Sequence, residues 1–205
     1  MPLFSMLPDS ELDRIAQLAN SRTVPRGTLL VRQGDPTDAL FILISGSIKV
    51  YNCDDEGREV ILSILGPGEF FGEMGLIDGA PRSANVLARE SCDLIVLGKD
   101  AFRRCLDEQS DVAWQMMRSL VGRLREADRK IESLALMDVY GRVAKLLLEQ
   151  SEPVDGRRVV TRKLPKQDIA KMVGASREMV SRVMKGLESS GYISIEEAGI
   201  VLLEH

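Results

Sequence analysis

The sequence predicts an α+β chain with an N-terminal jelly-roll or similar β-barrel, a long dimerisation helix and a C-terminal winged helix-turn-helix. Three observations carry that expectation. Short β-type runs punctuated by glycine fill residues 24–97, and an apolar line at alternating steps of four and three follows them. The last third then reads helix, glycine-bearing turn, helix and hairpin. The expected boundaries are 1–110 for the barrel, 111–137 for the long helix and 138–205 for the helix-turn-helix module.

The elements follow in order. Between Asp9 and Asn20, Leu12, Ile15, Ala16, Leu18 and Ala19 predict a short amphipathic helix capped by Asp9 or Ser10. Runs at 28–31, 40–44, 47–51, 59–65, 84–88 and 92–97 are strand-like, with Gly34, Gly46, Gly57 and Gly68 among the residues that separate them. Short strands at near-regular spacing with Gly, Pro and Asp turns suggest a jelly roll. Residues 52–57, Asn-Cys-Asp-Asp-Glu-Gly, are a hairpin tip.

After Lys99 the pattern turns helical, and 111–136 holds no proline. There Ala113, Met117, Leu120, Leu124, Ala127, Ile131 and Leu134 form an a/d seam that asks for a partner helix. Such a helix is about 39 Å long at 1.5 Å per residue, more than one small barrel covers. Self-pairing into a homodimer is expected. Asp138 interrupts the seam and suits the cap of a helix from Val139 to Gln150. A polar loop, Val159-Val160, a helix opening at Pro165, a turn at 173–176 and a second helix to about Ser189 come next. The final stretch reads as a two-strand wing turning at Gly199.

Composition narrows the chemistry. Of 205 residues, 44% are hydrophobic and 28% charged, enough for a sizeable core and two domains. The cysteines, Cys53, Cys92 and Cys105, lack CxxC spacing, and the one histidine is His205, so neither a zinc site, an iron–sulfur cluster nor a haem ligand set is expected. No basic-flanked signal segment opens the chain, and no apolar run reaches the roughly 20 residues of a membrane span. A cytoplasmic protein without metal or membrane partner is the expectation. No nucleophile, metal cluster or acid–base pair stands out, so no catalytic residues are assigned and an enzyme is not expected.

The net charge of −4 hides an asymmetry. Residues 1–138 hold 16 Lys/Arg against 22 Asp/Glu, whereas 139–205 hold 11 against 9. Within 157–185, nine basic residues face only Asp168 and Glu178. That local excess is the footprint expected of phosphate contacts with double-stranded DNA.

Two motifs carry specific chemistry. In the first, Gly72-Glu73-Met74-Gly75-Leu76 is followed by Ala80-Pro81-Arg82-Ser83-Ala84. Glycines let the backbone approach a ligand, a helix opening near Glu73 offers N–H groups to an anion, and Arg82 is a cationic fork. Ser83 can donate to a phosphate, and Glu73 can accept from a ribose hydroxyl. In the second, Gly174-Ala175-Ser176-Arg177-Glu178-Met179-Val180-Ser181-Arg182 opens a helix, with Ser176 as its cap. Arg177 and Arg182 can grip guanine O6 and N7, and Glu178 can accept from cytosine N4.

Together with the long helix between them, these motifs resemble the CRP/FNR family of bacterial transcription regulators, over essentially the whole chain. The resemblance implies a cyclic-nucleotide-binding barrel as effector-sensing domain. It implies effector contacts from Gly72, Glu73, Met74, Arg82, Ser83 and Ala84, joined by Arg123, Ala127 and Asp128 of the long helix. It also implies a DNA reader in which Arg177, Glu178 and Arg182 address a palindromic GTGA-type half-site. Lys166, Gln167, Ser176 and Ser181 lie beside them, with phosphate contacts expected of Lys166, Gln167 and Ser176. RNA polymerase is a further implied partner, as for an activator, and the acids Asp54, Asp55 and Glu56 of the hairpin tip are candidates to touch it.

The departure from the family pattern is at Ala127 and Asp128, where cyclic AMP-binding members present two hydroxyl residues to adenine. Alanine offers adenine no hydrogen bond, and a carboxylate suits the N1–H and N2–H₂ edge of guanine. Two readings stand side by side: a guanine effector, cyclic di-GMP or cyclic GMP, in preference to cyclic AMP; or an Asp128 that merely pairs with Arg125. The competing functions are a family member that binds no nucleotide and is constitutive or redox-controlled, and a nucleotide-sensing regulatory subunit. The latter would have no use for Arg177, Glu178 and Arg182.

Overall fold

The computed structural model describes residues 18–161, 164–196 and 199–203. The chain divides into two compact units, Met1–Arg125 and Glu126–His205. The expected N-terminal helix lies almost wholly outside the described residues. Ala19 and Asn20, assigned to it above, instead open a strand.

In the first unit the strands are β1 (Ala19–Val24), β2 (Leu29–Val31), β3 (Ala39–Ser45), β4 (Ile48–Cys53), β5 (Glu59–Leu65), β6 (Phe70–Phe71), β7 (Asn85–Ala88) and β8 (Cys92–Gly98). Antiparallel pairing gives two four-stranded sheets, β1-β8-β3-β6 and β2-β7-β4-β5. Every run expected as a strand is one. Of the two strands not foreseen, β1 is Ala-Asn-Ser-Arg-Thr-Val, mostly polar and held by its ladder to β8, and β6 is only Phe70-Phe71, too short to show a period. Alternation along the strands sends Leu43, Ile48, Val86, Ala88 and Leu94 into a shared core, where Phe41 stacks on Phe71 at 4.9 Å.

Helix α1 (Met74–Asp78) follows β6, and α2 (Lys99–Glu108) and α3 (Ser110–Leu136) follow β8. A second core patch joins Leu40, Ile42, Phe70 and Leu97 to Phe102 and Cys105 of α2 and to Val112 and Met116 of α3. The start of the long helix is therefore committed to its own barrel on the face 112, 116, 120.

That commitment shifts the expected seam. Leu120 packs against the barrel core and Ala113 is half-buried, so neither belongs to the outward line. The large apolar residues left exposed on this helix are Trp114, Met117, Val121, Leu124, Ile131, Leu134 and Leu136, with Leu124 62% exposed. From 114 to 131 they keep alternating steps of three and four, one residue out of phase with the expected line at every second position. The vacant step in this stripe is residue 128, an aspartate.

The second unit contains α4 (Val139–Gln150), β9 (Glu152–Val154), β10 (Arg157–Val160), α5 (Lys166–Val173), α6 (Arg177–Ser189), β11 (Ile193–Glu196) and β12 (Gly199–Leu202). Asp138 caps α4 as expected, its Oδ1 accepting from Gly141 N at 2.8 Å. The polar loop foreseen around 151–158 is instead a hairpin turning at Asp155-Gly156. Its strands enter a single sheet with the wing, in the order β11-β12-β10-β9. Val143, Leu147, Ile169, Val180, Met184 and Val201 fill the core beneath it.

Candidate effector site and nucleic-acid interface

The glycine-rich motif brings six of the expected effector residues into one corner of the barrel. Gly72 ends β6 with φ +85°, and a Cβ there would collide with Nη1 of Arg82. Gly75 is equally constrained, since a Cβ would strike Ala80 O and the Thr37 side chain. Both glycines therefore serve contacts inside the protein, where the sequence suggested room for a ligand. Glu73 precedes α1, is only 3% exposed, and accepts from Leu76 N and Ile77 N through its carbonyl. Met74 and Ser83 are exposed side by side, with Ser83 Oγ donating to Met74 Sδ at 3.5 Å, while Ala84 is buried.

Charge is paired throughout this corner. Arg82, 6% exposed, lies over the Phe41 ring. Its Nη1 donates to Gly72 O at 2.9 Å, and its Nη2 donates to Ala39 O at 2.9 Å and to Asp38 Oδ1 at 3.0 Å. Arg123 of α3 donates from Nη1 to Glu73 Oε1 at 2.8 Å and from Nη2 to Phe70 O, and its guanidinium stacks on the Phe70 ring. The long helix is thus pinned to the cassette at Arg123. A buried carboxylate and a buried guanidinium each cost several kcal/mol to desolvate, and these partners offset that cost.

Ala127 and Asp128 lie further along the same helix, in the second unit, and both are exposed. Asp128 makes no hydrogen bond or ion pair among the described residues. Residues that the motif did not reveal are Asp38 and Ala39 at the start of β3 and Asn52 on β4, whose Nδ2 donates to Ser83 O at 3.4 Å. No spacing rule points from Asp38 to Arg82, 44 positions away.

In the second unit Gly174 closes α5 with φ +65°, a left-handed conformation in which glycine is the least strained residue. Ser176 caps α6, its Oγ accepting from Met179 N at 3.1 Å. Val180, Val183, Met184 and Leu187 face the core, which turns Arg177, Glu178, Arg182 and Lys185 to solvent, with Ser181 half-exposed. Lys166 and Gln167 are exposed at the start of α5. Arg177, Arg182 and Lys166 form no ion pair among the described residues.

Part of the basic excess is spent elsewhere. Arg158 donates to Ser151 Oγ at 2.9 Å, Ser151 O at 3.0 Å and Leu148 O at 3.2 Å, bracketing the end of α4. Arg157 pairs with Glu196 at 3.4 Å, and Arg162 and Lys163 lie outside the described residues. At the β4–β5 tip, Asp54 is a turn-former too: its carboxylate accepts from Glu56 N, Arg58 N and Arg58 Nε. Those three bonds hold its pKa below the ordinary carboxylate value, the Arg58 side chain contributing most. Glu56 pairs with Arg58 at 3.4 Å in an exposed bridge, so Asp55 alone of the three acids has no ion pair among the described residues, and the Glu56 carboxylate still faces solvent.

Comparison with known proteins agrees with this geometry in both units. Residues 21–109 match the cyclic nucleotide-binding domain, and residues 141–205 match the Crp-like helix-turn-helix domain. The cAMP-activated global transcriptional regulator Vfr of Pseudomonas aeruginosa is 33% identical over 201 residues, covering 93% of this chain and 92% of that protein. This chain belongs to the CRP/FNR family.

A second relative, the cAMP-activated global transcriptional regulator CRP of Pasteurella multocida, is 35% identical and covers 87% of each chain. Among solved structures, the c-di-GMP responsive global regulator CLP of Xanthomonas campestris superimposes with a TM-score of 0.81 at 28% identity, covering 97% of this chain and all of that one. Family membership makes the chain a DNA-binding transcription regulator with a cyclic nucleotide-binding domain, on an α+β two-domain fold. CRP/FNR proteins are regulators and not enzymes. No helix among the described residues is long and apolar enough to cross a membrane.

Proposed function

We propose that this protein is a transcription activator, working in the cytoplasm, that binds a palindromic GTGA-type site as a homodimer under control of a cyclic nucleotide. The observation that carries the DNA reading is the exposed, unpaired face of α6. Arg177, Glu178 and Arg182 stand there ready for base edges, while Ser181, Ser176, Lys166 and Gln167 flank them for positioning and phosphate contact. Selection of bound sequences from a random duplex pool tests it: enrichment of two GTGA half-sites spaced by one helical turn, about 34 Å, is expected. Enrichment of an unrelated motif would reject the half-site.

For the dimer, we infer self-pairing through Met117, Leu124 and Ile131 of the expected seam. Trp114 and Val121 replace Ala113 and Leu120, and Leu134 extends the stripe. Val121 and Asp128 then occupy equivalent seam positions, with Ala127 beside the latter.

For the effector, Gly72, Glu73, Met74, Arg82, Ser83 and Ala84 would cradle the sugar and phosphate, with Arg123, Ala127 and Asp128 on the helix side. An unpaired Asp128 favours a guanine base, hence cyclic di-GMP or cyclic GMP. The relatives divide between this reading and cyclic AMP: Vfr and CRP are cAMP-activated, whereas CLP is c-di-GMP responsive. Mass spectrometry of nucleotide released from purified protein, followed by calorimetry with all three, separates them. Effector binding would favour one helix pairing and, through the joint at Met137-Asp138, set the spacing of the two α6 helices; a ligand shifts such an equilibrium only by its differential affinity. Asp55 and Glu56 are the residues proposed to meet RNA polymerase. Replacing both is expected to reduce transcription in a reconstituted assay without changing DNA affinity.

A further inference from the structure

We propose that Asp38 is an internal stand-in for the effector's phosphate, competing with it for Arg82 and so setting the affinity of the barrel for anionic nucleotides. The inference rests on the nucleotide reading of the barrel and adds to it a residue outside the glycine-rich motif. A guanidinium has five N–H donors, and it can grip an oxyanion bidentately along two edges, Nε with Nη2 or Nη1 with Nη2. Both edges need a hydrogen on Nη2. Here Nη2 already serves two acceptors, Ala39 O at 2.9 Å and Asp38 Oδ1 at 3.0 Å, while Nη1 serves Gly72 O at 2.9 Å. A phosphate can take a two-point hold only if Nη2 gives one acceptor up.

The two acceptors are not equally easy to release. The Arg82–Ala39 bond is buried, and an abandoned buried carbonyl costs about 1–3 kcal/mol. The Asp38 side chain is 86% exposed against 5% for that of Arg82, so its carboxylate returns to water at little cost. Asp38 is therefore the acceptor that yields. Gly72 fixes the arrangement from the other side, because the guanidinium occupies the space a Cβ would take. Until the exchange, Asp38 supplies the negative charge that lets Arg82 remain folded into the barrel wall.

Calorimetry on the full chain tests this with cyclic AMP, cyclic GMP and cyclic di-GMP as probes. For whichever nucleotide binds the wild type, Asp38→Asn is expected to bind about two- to fivefold more tightly, the range of an exposed ion pair. Asp38→Ser should move the same way. Asp38→Glu, which keeps the charge, and Asp35→Asn, which removes a nearby acid not bonded through its side chain to Arg82, should both stay at the wild-type value. The uncharged nucleosides adenosine and guanosine should show no gain in any variant. Equal or weaker cyclic-nucleotide binding by Asp38→Asn and Asp38→Ser, with unchanged thermal melting, overturns the proposal and leaves Asp38 as a strut for Arg82. If no probe binds any variant, the nucleotide reading falls and this inference falls with it.

Discussion

The two functional regions hold their charges in opposite ways. In the barrel cassette, Arg82 is bonded to Asp38, Ala39 and Gly72, and Glu73 is bonded to Arg123. On α6, Arg177 and Arg182 stand in water with no ion pair among the described residues. The difference follows from where each ligand arrives. DNA is met at a surface, where an unpaired arginine is already solvated and loses little by waiting. A small effector is met inside the folded barrel, where a bare charge would cost several kcal/mol, and there Arg82 and Glu73 are answered by counter-ions of the protein's own. A residue's type and spacing therefore reveal a surface reader directly, whereas a cassette residue also holds the protein together.

The widest test of the contrast is the seam that would join two copies. Leu124→Glu places two like charges where two exposed leucines are expected to meet, and should weaken the dimer by about 3–5 kcal/mol. Light scattering at micromolar concentration should then report half the wild-type mass, and an unchanged dimer would move the interface off this stripe. Arg82→Ala follows: it strips the donor from Gly72 O and Ala39 O, at about 1–3 kcal/mol per buried acceptor. The barrel should melt several degrees lower, whether or not an effector is added. A melting curve identical to wild type would break the claim that this arginine is part of the wall.

Arg177→Ala sharpens the other side of the comparison. It should cost about 1–3 kcal/mol on the selected site and relax base choice, with no change in melting temperature, whereas Lys166→Ala weakens all sequences alike. Equal selectivity of the two variants in a gel-shift panel would deny α6 its reading role. Ser176→Ala removes the cap of α6 and should lower stability by about 1 kcal/mol in urea unfolding.

The smallest effect is at the β4–β5 tip. The Asp54 pKa is held low in the folded state, so its stabilising charge is fully present above the unfolded carboxylate pKa and is lost as pH falls through the folded value. The wild type should thus exceed Asp54→Asn in urea midpoint at pH 7 and lose that advantage toward pH 3.

What was legible in the sequence had a periodic or chemical signature. The six strand runs are short, β-type and separated by glycines, the α5–turn–α6 segment carries a cap and a left-handed glycine, and both motifs keep their residue types in order. Strand β1 was missed because its partner, β8, and not its own side chains, holds it extended. The β9–β10 hairpin was read as a loop because Pro153, Asp155 and Gly156 look like loop chemistry, and only the sheet with β12 makes them a hairpin. Heptad counting places Leu120 on the outward line because it does not know that Met116 and Leu120 already have the barrel to pack against.

The sequence by itself determined the family, the order of the modules, the proposed α6 readers and the residue types of the cassette. These depend on local chemistry: a cap, a left-handed turn, a fork of donors, a run of alternating residues. Only the tertiary structure decided which charges are already answered and which face of the long helix is left over. Asp38 meets Arg82 and Arg123 meets Glu73 across 44 and 50 positions of chain, distances over which spacing carries no information. The exposed stripe is likewise what remains after the barrel has taken the residues it buries, and that subtraction exists only once the chain has folded.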